Sequence, residues 1–116
     1  MMLLTKEIRS KMPPMGSTDG KLDAEVVVKF FSPYSGWTWW AFEGESIKNE
    51  EGEEIDFHFY GLVKGFETEL GTWSLSEMEG AKRGALPLVE RDMYYSPETK
   101  EELFKRVYPM MLEGVK

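Results

Sequence analysis

The only histidine of this chain, His58, is the first residue to consider for catalysis. It lies in an alternating segment with Asp56 and Tyr60, and no nucleophile motif accompanies it. A general base needs a reacting group within hydrogen-bond reach, and a zinc site needs three or four ligands, which only carboxylates remain to supply. The sequence therefore favours a hydrogen-bonded structural histidine, and we expect neither a metal nor a cofactor.

The tripeptide Glu90-Arg91-Asp92 combines two carboxylates with a guanidinium that could bind an anion. Adjacent strand residues point to opposite faces, so Glu90 and Asp92 share one face and Arg91 lies on the other. The pattern favours an ion-pair network on an edge strand. A small hydrolase remains a third hypothesis for the protein, and it requires Glu90, Asp92 or His58 to meet in one pocket.

Three of the four tryptophans, Trp37, Trp39 and Trp40, lie within four residues. In a strand, Trp37 and Trp39 share one face and Trp40 takes the other. Cross-strand aromatic packing explains such a cluster, and a stacking platform for a base, a sugar or a peptide side chain is the functional alternative. We expect the Trp37–Trp39 face to be the core, which leaves Trp40, with Phe42 or Tyr60, to carry binding. The candidate binding residues are Trp37, Trp39, Trp40, Tyr60 and Arg91.

Most of the net charge lies in one segment. Residues 43–56 contain seven acids and one base, Lys48, and so carry −6 of the chain's net charge of −7. Like charges this dense favour a solvated hairpin tip, which we predict over residues 44–54. A second hypothesis is that the segment mimics the backbone of DNA and inhibits a DNA-binding enzyme. Weak metal binding is a further reading, although the spacing does not match an EF-hand loop.

The length of 116 residues and the apolar content of 41% suit a single domain, 1–116, with its own core. No apolar run is long enough to span a membrane, and the N-terminal run is too short for a signal peptide. The chain has no cysteine, so it has no disulfide framework. We therefore expect a cytoplasmic protein with no membrane partner.

Hydrophobic periodicity and turn residues predict three helices and five strands. The predicted helices cover 4–12, 74–80 and 96–108, and the predicted strands cover 25–31, 37–42, 55–63, 66–73 and 89–95. Ser96 and Pro97 are the expected start of the last helix, Phe66 and Leu70 are expected to face inward, and 82–88 is expected to be a loop. Short turns favour antiparallel neighbours. The prediction is an α+β domain with a curled antiparallel meander sheet of four to five strands and short helices packed on one face.

Several short stretches of the sequence, taken together, carry information that none of them carries alone. They are residues 3–7, Pro13-Pro14, 28–33, 37–39, 59–67, 71–79 and 86–92. In this order they resemble a bacterial family, domain-of-unknown-function family 2958, over nearly the whole chain. The resemblance implies a small single-domain product of plasmids and conjugative or integrative elements. No activity is established for the family, so the resemblance assigns no site residue.

The first functional hypothesis is a non-enzymatic accessory protein of a mobile genetic element that binds a protein or a single-stranded nucleic acid. It rests on the tryptophan-rich strand, which no chemical motif accompanies. Binding of nucleic acid needs a basic groove, and the bases near this strand are only Lys29, Lys64 and Arg91. Net acidity also opposes the attraction of phosphates.

Overall fold

The computed structural model of the protein describes residues 2–113. Its elements in chain order are α1 (Lys6–Lys11), β1 (Val28–Phe31), β2 (Thr38–Lys48), β3 (Glu54–Lys64), β4 (Thr68–Ser74), α2 (Leu75–Gly80), β5 (Lys82–Arg83), β6 (Leu86–Pro87), β7 (Glu90–Arg91), α3 (Lys100–Val107) and a 3₁₀ helix (Pro109–Leu112). None of the helices within residues 2–113 combines the length and apolar character needed to cross a membrane.

Five strands form one antiparallel sheet in the order β4-β3-β2-β1-β7. The predicted α+β domain with an antiparallel meander is thus confirmed, and β7 is the edge strand expected around Glu90 and Arg91. The segment expected to be a loop, 82–88, contains a second small sheet of β5 and β6. Gly84 turns this hairpin with a φ of 61°, a conformation that favours glycine.

The helices pack on both faces of the sheet, not on one as expected from the sequence. On one face, α1 and α2 cover an aromatic core that contains Phe30, Phe59 and Trp73. On the other face, α3 covers a core that contains Trp40, Phe42 and Leu103. We call these the α1 face and the α3 face. Because both faces are buried, the central strands carry large apolar side chains on alternate sides.

A β-bulge interrupts the pairing of β2 with β3 and sets the direction of the residues that follow. Ala41 pairs with Gly61, whereas Glu43 pairs with Tyr60, so Phe42 is the extra residue. A bulge of this kind lets two successive residues point to the same side of a sheet. Phe42 and Glu43 both lie on the α3 face as a result.

The last helix begins later than the sequence predicts. Thr99, not Ser96, is the N-cap of α3, and it forms a capping box with Glu102. The preceding residues are extended because they pair with the chain before β1: the Val26 N–H donates to the Glu98 carbonyl oxygen at 2.9 Å, and Glu25 bridges to Thr99. Tertiary pairing therefore overrides the local helix-start pattern.

Candidate functional site

An aromatic corner lies at one end of the sheet and consists of Trp37, Trp39 and Phe66. The ring centre of Trp37 is 5.9 Å from that of Trp39 and 5.3 Å from that of Phe66, which it meets edge-on at 83°. Phe66 is 95% exposed, and both tryptophans are half-buried. Edge-to-face contact is a favoured aromatic geometry, so the corner presents three mutually packed rings at the surface.

Two turns bring these rings together. Thr38 pairs with Lys64, which places the β1–β2 turn beside the β3–β4 turn. Gly36 in the first turn has a φ of 79°, a conformation open to glycine. In the second turn, the Trp37 ring packs against Gly65, where an added Cβ would be 2.6 Å from two ring carbons. The corner therefore depends on glycine at position 65.

Replacing Gly65 with alanine is expected to displace the Trp37 ring, because the methyl group would occupy the space of the ring. The indole N–H resonance of Trp37 should shift, while those of Trp40 and Trp73 should stay where they are because both rings are buried elsewhere. The free energy of unfolding should fall by about 1 kcal/mol or less, since the site is at the surface. An unchanged Trp37 resonance would contradict this packing.

A pocket of about 240 Å³ opens beside the aromatic corner. It is lined by Trp37, Val63, Gly65, Phe66, Glu67 and Glu69. Both glutamates are exposed, and neither forms an ion pair with any residue between 2 and 113. The pocket therefore combines two perpendicular aromatic walls with two carboxylates whose charge is not neutralised by a bound base.

Sequence reasoning missed Phe66 as a member of this corner. It expected Phe66 to face inward with Leu70, but β4 begins only at Thr68 and Phe66 lies in the turn. Leu70 does pack against the α3-face core. The observation that could have identified Phe66 is its place directly after Lys64-Gly65, the predicted turn.

Trp40 is not the exposed residue that the sequence led us to expect. It is 3% exposed and packs on the α3 face with Leu103 and Phe104. Its ring N–H has no hydrogen-bond partner within the described part of the chain. Trp37 and Trp39, the pair assigned to the core, are the ones that reach the surface, although Trp39 also packs against the α1-face core.

Tyr60 lies on the α3 face, opposite to the aromatic corner. Two openings of about 300 and 240 Å³ flank its ring, and Asp19 lines both of them. Burial, together with the negative charges of Glu43 and Asp19, raises the pKa of the Tyr60 hydroxyl. Tyr60 is therefore a neutral side chain at neutral pH. Because it lies on the α3 face, it does not extend the aromatic surface of the corner.

Glu43 is a buried carboxylate, although the sequence places it at the start of a solvated tip. It is 2% exposed. Its Oε1 accepts a hydrogen bond from the Gly16 N–H at 2.6 Å, and its Oε2 accepts bonds from the Thr18 N–H at 2.9 Å and the Thr18 hydroxyl. Lys100 Nζ donates to the Thr18 carbonyl oxygen at 2.7 Å. Glu43 thus fastens the loop before β1 to the sheet.

The Glu43 carboxylate is ionised despite its burial. Desolvation raises its pKa, but the hydrogen bonds from Thr18 and Gly16 and the charge of Lys100 outweigh it and lower the pKa below its ordinary value. Burial lowers the pKa of Lys100, and the charges of Glu43 and Asp19 oppose that shift. The hydrogen bonds among Glu43, Gly16, Thr18 and Lys100 therefore have a structural role, and we call this group of residues the Glu43 lock.

Arg91 and Asp92 line a cleft of about 460 Å³ together with Lys29 and residues of α1. Lys29 Nζ lies 3.2 Å from Asp92 Oδ2. Arg91 donates to the carbonyl oxygens of Met2 and Leu3 and so attaches the N-terminal segment to the edge strand. Glu90 is half-buried and pairs through its backbone with Phe31. Of the ion-pair network expected from the sequence, these contacts contain one ion pair, Lys29 with Asp92.

His58 lies on β3 and is separated from β7 by β2 and β1. Three strand spacings amount to about 14 Å, so His58 does not meet Glu90 or Asp92. Nor does His58 form a hydrogen bond to a carboxylate anywhere in residues 2–113. The geometry that a hydrolase would require is therefore not assembled from these three residues.

The acidic segment is mostly strand and only partly free. β2 continues to Lys48 and β3 starts at Glu54, so the tip is residues 49–53. Like the buried Glu43, two further acids of the segment have partners within the fold. Glu54 pairs with Arg9, and Asp56 accepts hydrogen bonds from the Ser76 N–H and hydroxyl at the start of α2. Hydrogen bonds from Ser46 and Arg9 lower the pKa of Glu54, and those from Ser76 lower the pKa of Asp56. The carboxylates left for another role are those of Glu45, Glu50, Glu51 and Glu53.

Across the described range, no three His, Asp or Glu side chains converge in a geometry that could hold a metal ion. No curated protein matches this chain, and no solved structure matches it. One family does match, over residues 3–107, under the description "Protein of unknown function (DUF2958)". The match covers most of the 116 residues, so the chain belongs to this family of unknown function.

Proposed function

We propose that this protein is a binding module that recognises a protein partner through the aromatic corner. The observation that carries the proposal is Phe66, a large apolar side chain that is 95% exposed and packs edge-on against Trp37. Aromatic side chains that are exposed and fixed by their neighbours are typical anchors of protein interfaces. Service to a mobile genetic element, which the family resemblance implies, stays a prediction.

A protein partner is favoured over single-stranded nucleic acid by the charges around the corner. Stacking of bases needs a basic groove that follows the phosphates. Of the three bases considered for this role, Lys29 pairs with Asp92 and Arg91 binds backbone carbonyls of the N-terminal segment. That leaves Lys64 as the one base of the three beside the corner. The pocket beside the corner carries Glu67 and Glu69. These carboxylates repel phosphate groups, and they can accept hydrogen bonds from the N–H donors of a peptide.

The mimicry hypothesis has less support. It needs a dense row of free carboxylates, but Glu43 is buried, Glu54 is paired and Asp56 accepts hydrogen bonds from Ser76 at the start of α2. Three of the seven acids in residues 43–56 therefore serve the fold.

The test is selection of short peptides from a displayed random library on the wild-type protein, followed by affinity measurements with variants. F66A is expected to weaken the selected peptides about tenfold or more, because it removes an interface anchor. Its matched control is Y94A, which truncates another aromatic side chain that is 95% exposed but lies after β7. Both variants should keep the stability of the wild type within about 0.5 kcal/mol.

The proposal fails if no peptide is enriched, or if F66A and Y94A bind the selected peptides equally well. It also fails if labelled oligo-dT at low salt binds the wild type and loses affinity with F66A. That outcome would assign the corner to single-stranded nucleic acid.

A further inference from the structure

We infer that the pocket of the aromatic corner receives a cationic side chain, that of arginine or lysine, from the partner. This inference rests on the proposed function and names the chemistry that the site recognises. It follows from the composition of the pocket, which joins aromatic walls and carboxylates in one small space.

The aromatic walls have the geometry that suits a cation. Trp37 and Phe66 stand at 83° to each other with their centres 5.3 Å apart, so they form two sides of a recess. A cation within about 6 Å of a ring centroid is attracted by the ring quadrupole, and tryptophan attracts it most. Two rings at right angles can contact one cationic group from two directions.

The size and floor of the pocket suit a side chain better than a whole peptide. A volume of about 240 Å³ is smaller than the roughly 300–1,000 Å³ of pockets that hold whole small-molecule ligands. Val63 provides an apolar lining that can contact the methylene groups of a long basic side chain.

The two carboxylates supply the charge that complements such a side chain. Glu69 pairs with Val63 on β3 and Glu67 lies in the turn beside Phe66. Neither forms an ion pair within the described residues, as noted above, so both are available as acceptors. A planar guanidinium can stack on an aromatic ring and donate to a carboxylate at the same time. An anionic side chain would be repelled by the carboxylates, and a neutral one would lack the charge that the rings and the carboxylates attract.

The experiment uses two probes that differ in charge alone: an acetylated Gly-Arg-Gly amide and the same peptide with citrulline, the neutral isostere of arginine. Each is titrated into the isotopically labelled wild-type protein while the four tryptophan indole N–H resonances are followed. The arginine peptide should shift the Trp37 resonance and leave those of Trp40 and Trp73 in place. The citrulline peptide should bind at least about tenfold more weakly.

A double variant, E67Q/E69Q, should lose about tenfold in affinity for the arginine peptide. Its matched control is E50Q/E51Q, which removes the same two charges from the exposed tip of the β2–β3 hairpin. If the control loses as much as E67Q/E69Q, net charge and not the pocket attracts the probe, and the inference is overturned. Equal binding of the citrulline peptide overturns it as well.

The two proposals can fail separately. If library peptides bind in a Phe66-dependent way but the arginine peptide shifts no indole resonance, the corner binds protein without a cation and only the inference fails. If the arginine peptide binds as expected but no library peptide is enriched, the pocket recognises a cation and the proposed protein-binding role fails.

Discussion

Replacing Gly61 with alanine is expected to lower the free energy of unfolding by about 3 kcal/mol or more. An added Cβ would lie 1.8 Å from the Trp40 carbonyl oxygen and 2.8 Å from its carbon. Both are backbone atoms of the neighbouring strand, so no change of rotamer relieves the contact. β2 and β3 would have to separate where the bulge begins. Thermal unfolding should show a midpoint lowered by more than about 10 °C.

Gly71 offers the matched control for this substitution. Gly71 lies on β4 and pairs with Gly61 of β3, but a Cβ added at Gly71 would meet nothing within 4 Å. We expect G71A to change the free energy of unfolding by no more than about 0.5 kcal/mol. Similar losses in G61A and G71A would show that strand glycines matter in general here, and would contradict the close approach of β2 at Gly61.

The elements that depend on local patterns were predictable from the sequence. Thr5 caps α1 and Ser74 caps α2, each by accepting a backbone N–H of the first turn. The alternation in β3 correctly assigned Phe57 and Phe59 to one face. In these segments the local preference of the chain and the final fold agree, which is why pattern reasoning is sufficient there.

The direction of Glu43 could not be predicted, because it depends on the bulge at Phe42. A shift of one residue moves every following side chain to the other face of a strand. No residue type near Phe42 indicates such a shift, and the many acids of residues 43–56 suggest that the segment is exposed to solvent. Glu43 interacts with Thr18 and Lys100, which are both distant from it in the sequence. The burial of its carboxylate therefore cannot be recognised from the neighbouring residues.

The candidate site was predictable in part. The alternation of strand residues separated Trp37 and Trp39 from Trp40, and the structure keeps that separation. Which of the two sides is exposed was predicted wrongly, because both faces of the sheet carry apolar residues and both are covered by helices. Exposure is decided instead by position along the chain: Trp37 lies directly before β2 and belongs to neither of the two cores described above.

Replacing Glu43 with alanine is expected to lower the free energy of unfolding by about 2–4 kcal/mol, because buried donors would lose their acceptor. The N–H groups of Gly16 and Thr18 would be left without this carboxylate, and Lys100, which is 6% exposed, would lose one of the two negative charges that favour its ionised form. Urea denaturation measures the change. E45A is the control, since Glu45 is exposed on the same strand, and it should differ from the wild type by about 0.5 kcal/mol at most.

The same lock should make part of the stability depend on pH. Because the pKa of Glu43 in the folded protein lies below the ordinary value of 4.5, ionised Glu43 stabilises the fold fully above that pH. This stabilisation is lost as the pH falls through the lower folded-state value, when the folded carboxylate takes up its proton. Glu54 and Asp56 also have lowered pKa values and add to the acid sensitivity. The comparison must therefore isolate Glu43.

The variant E43Q provides that comparison, since it keeps the size of the side chain and removes its titration. Stability curves of the wild type and E43Q, measured from neutral pH into the acid range, should lie furthest apart above pH 4.5 and converge at lower pH. The contributions of Glu54 and Asp56 cancel in the difference because both proteins retain them. Parallel curves would mean that Glu43 has the same pKa in the folded and the unfolded chain, and its hydrogen bonds would then not favour the ionised carboxylate.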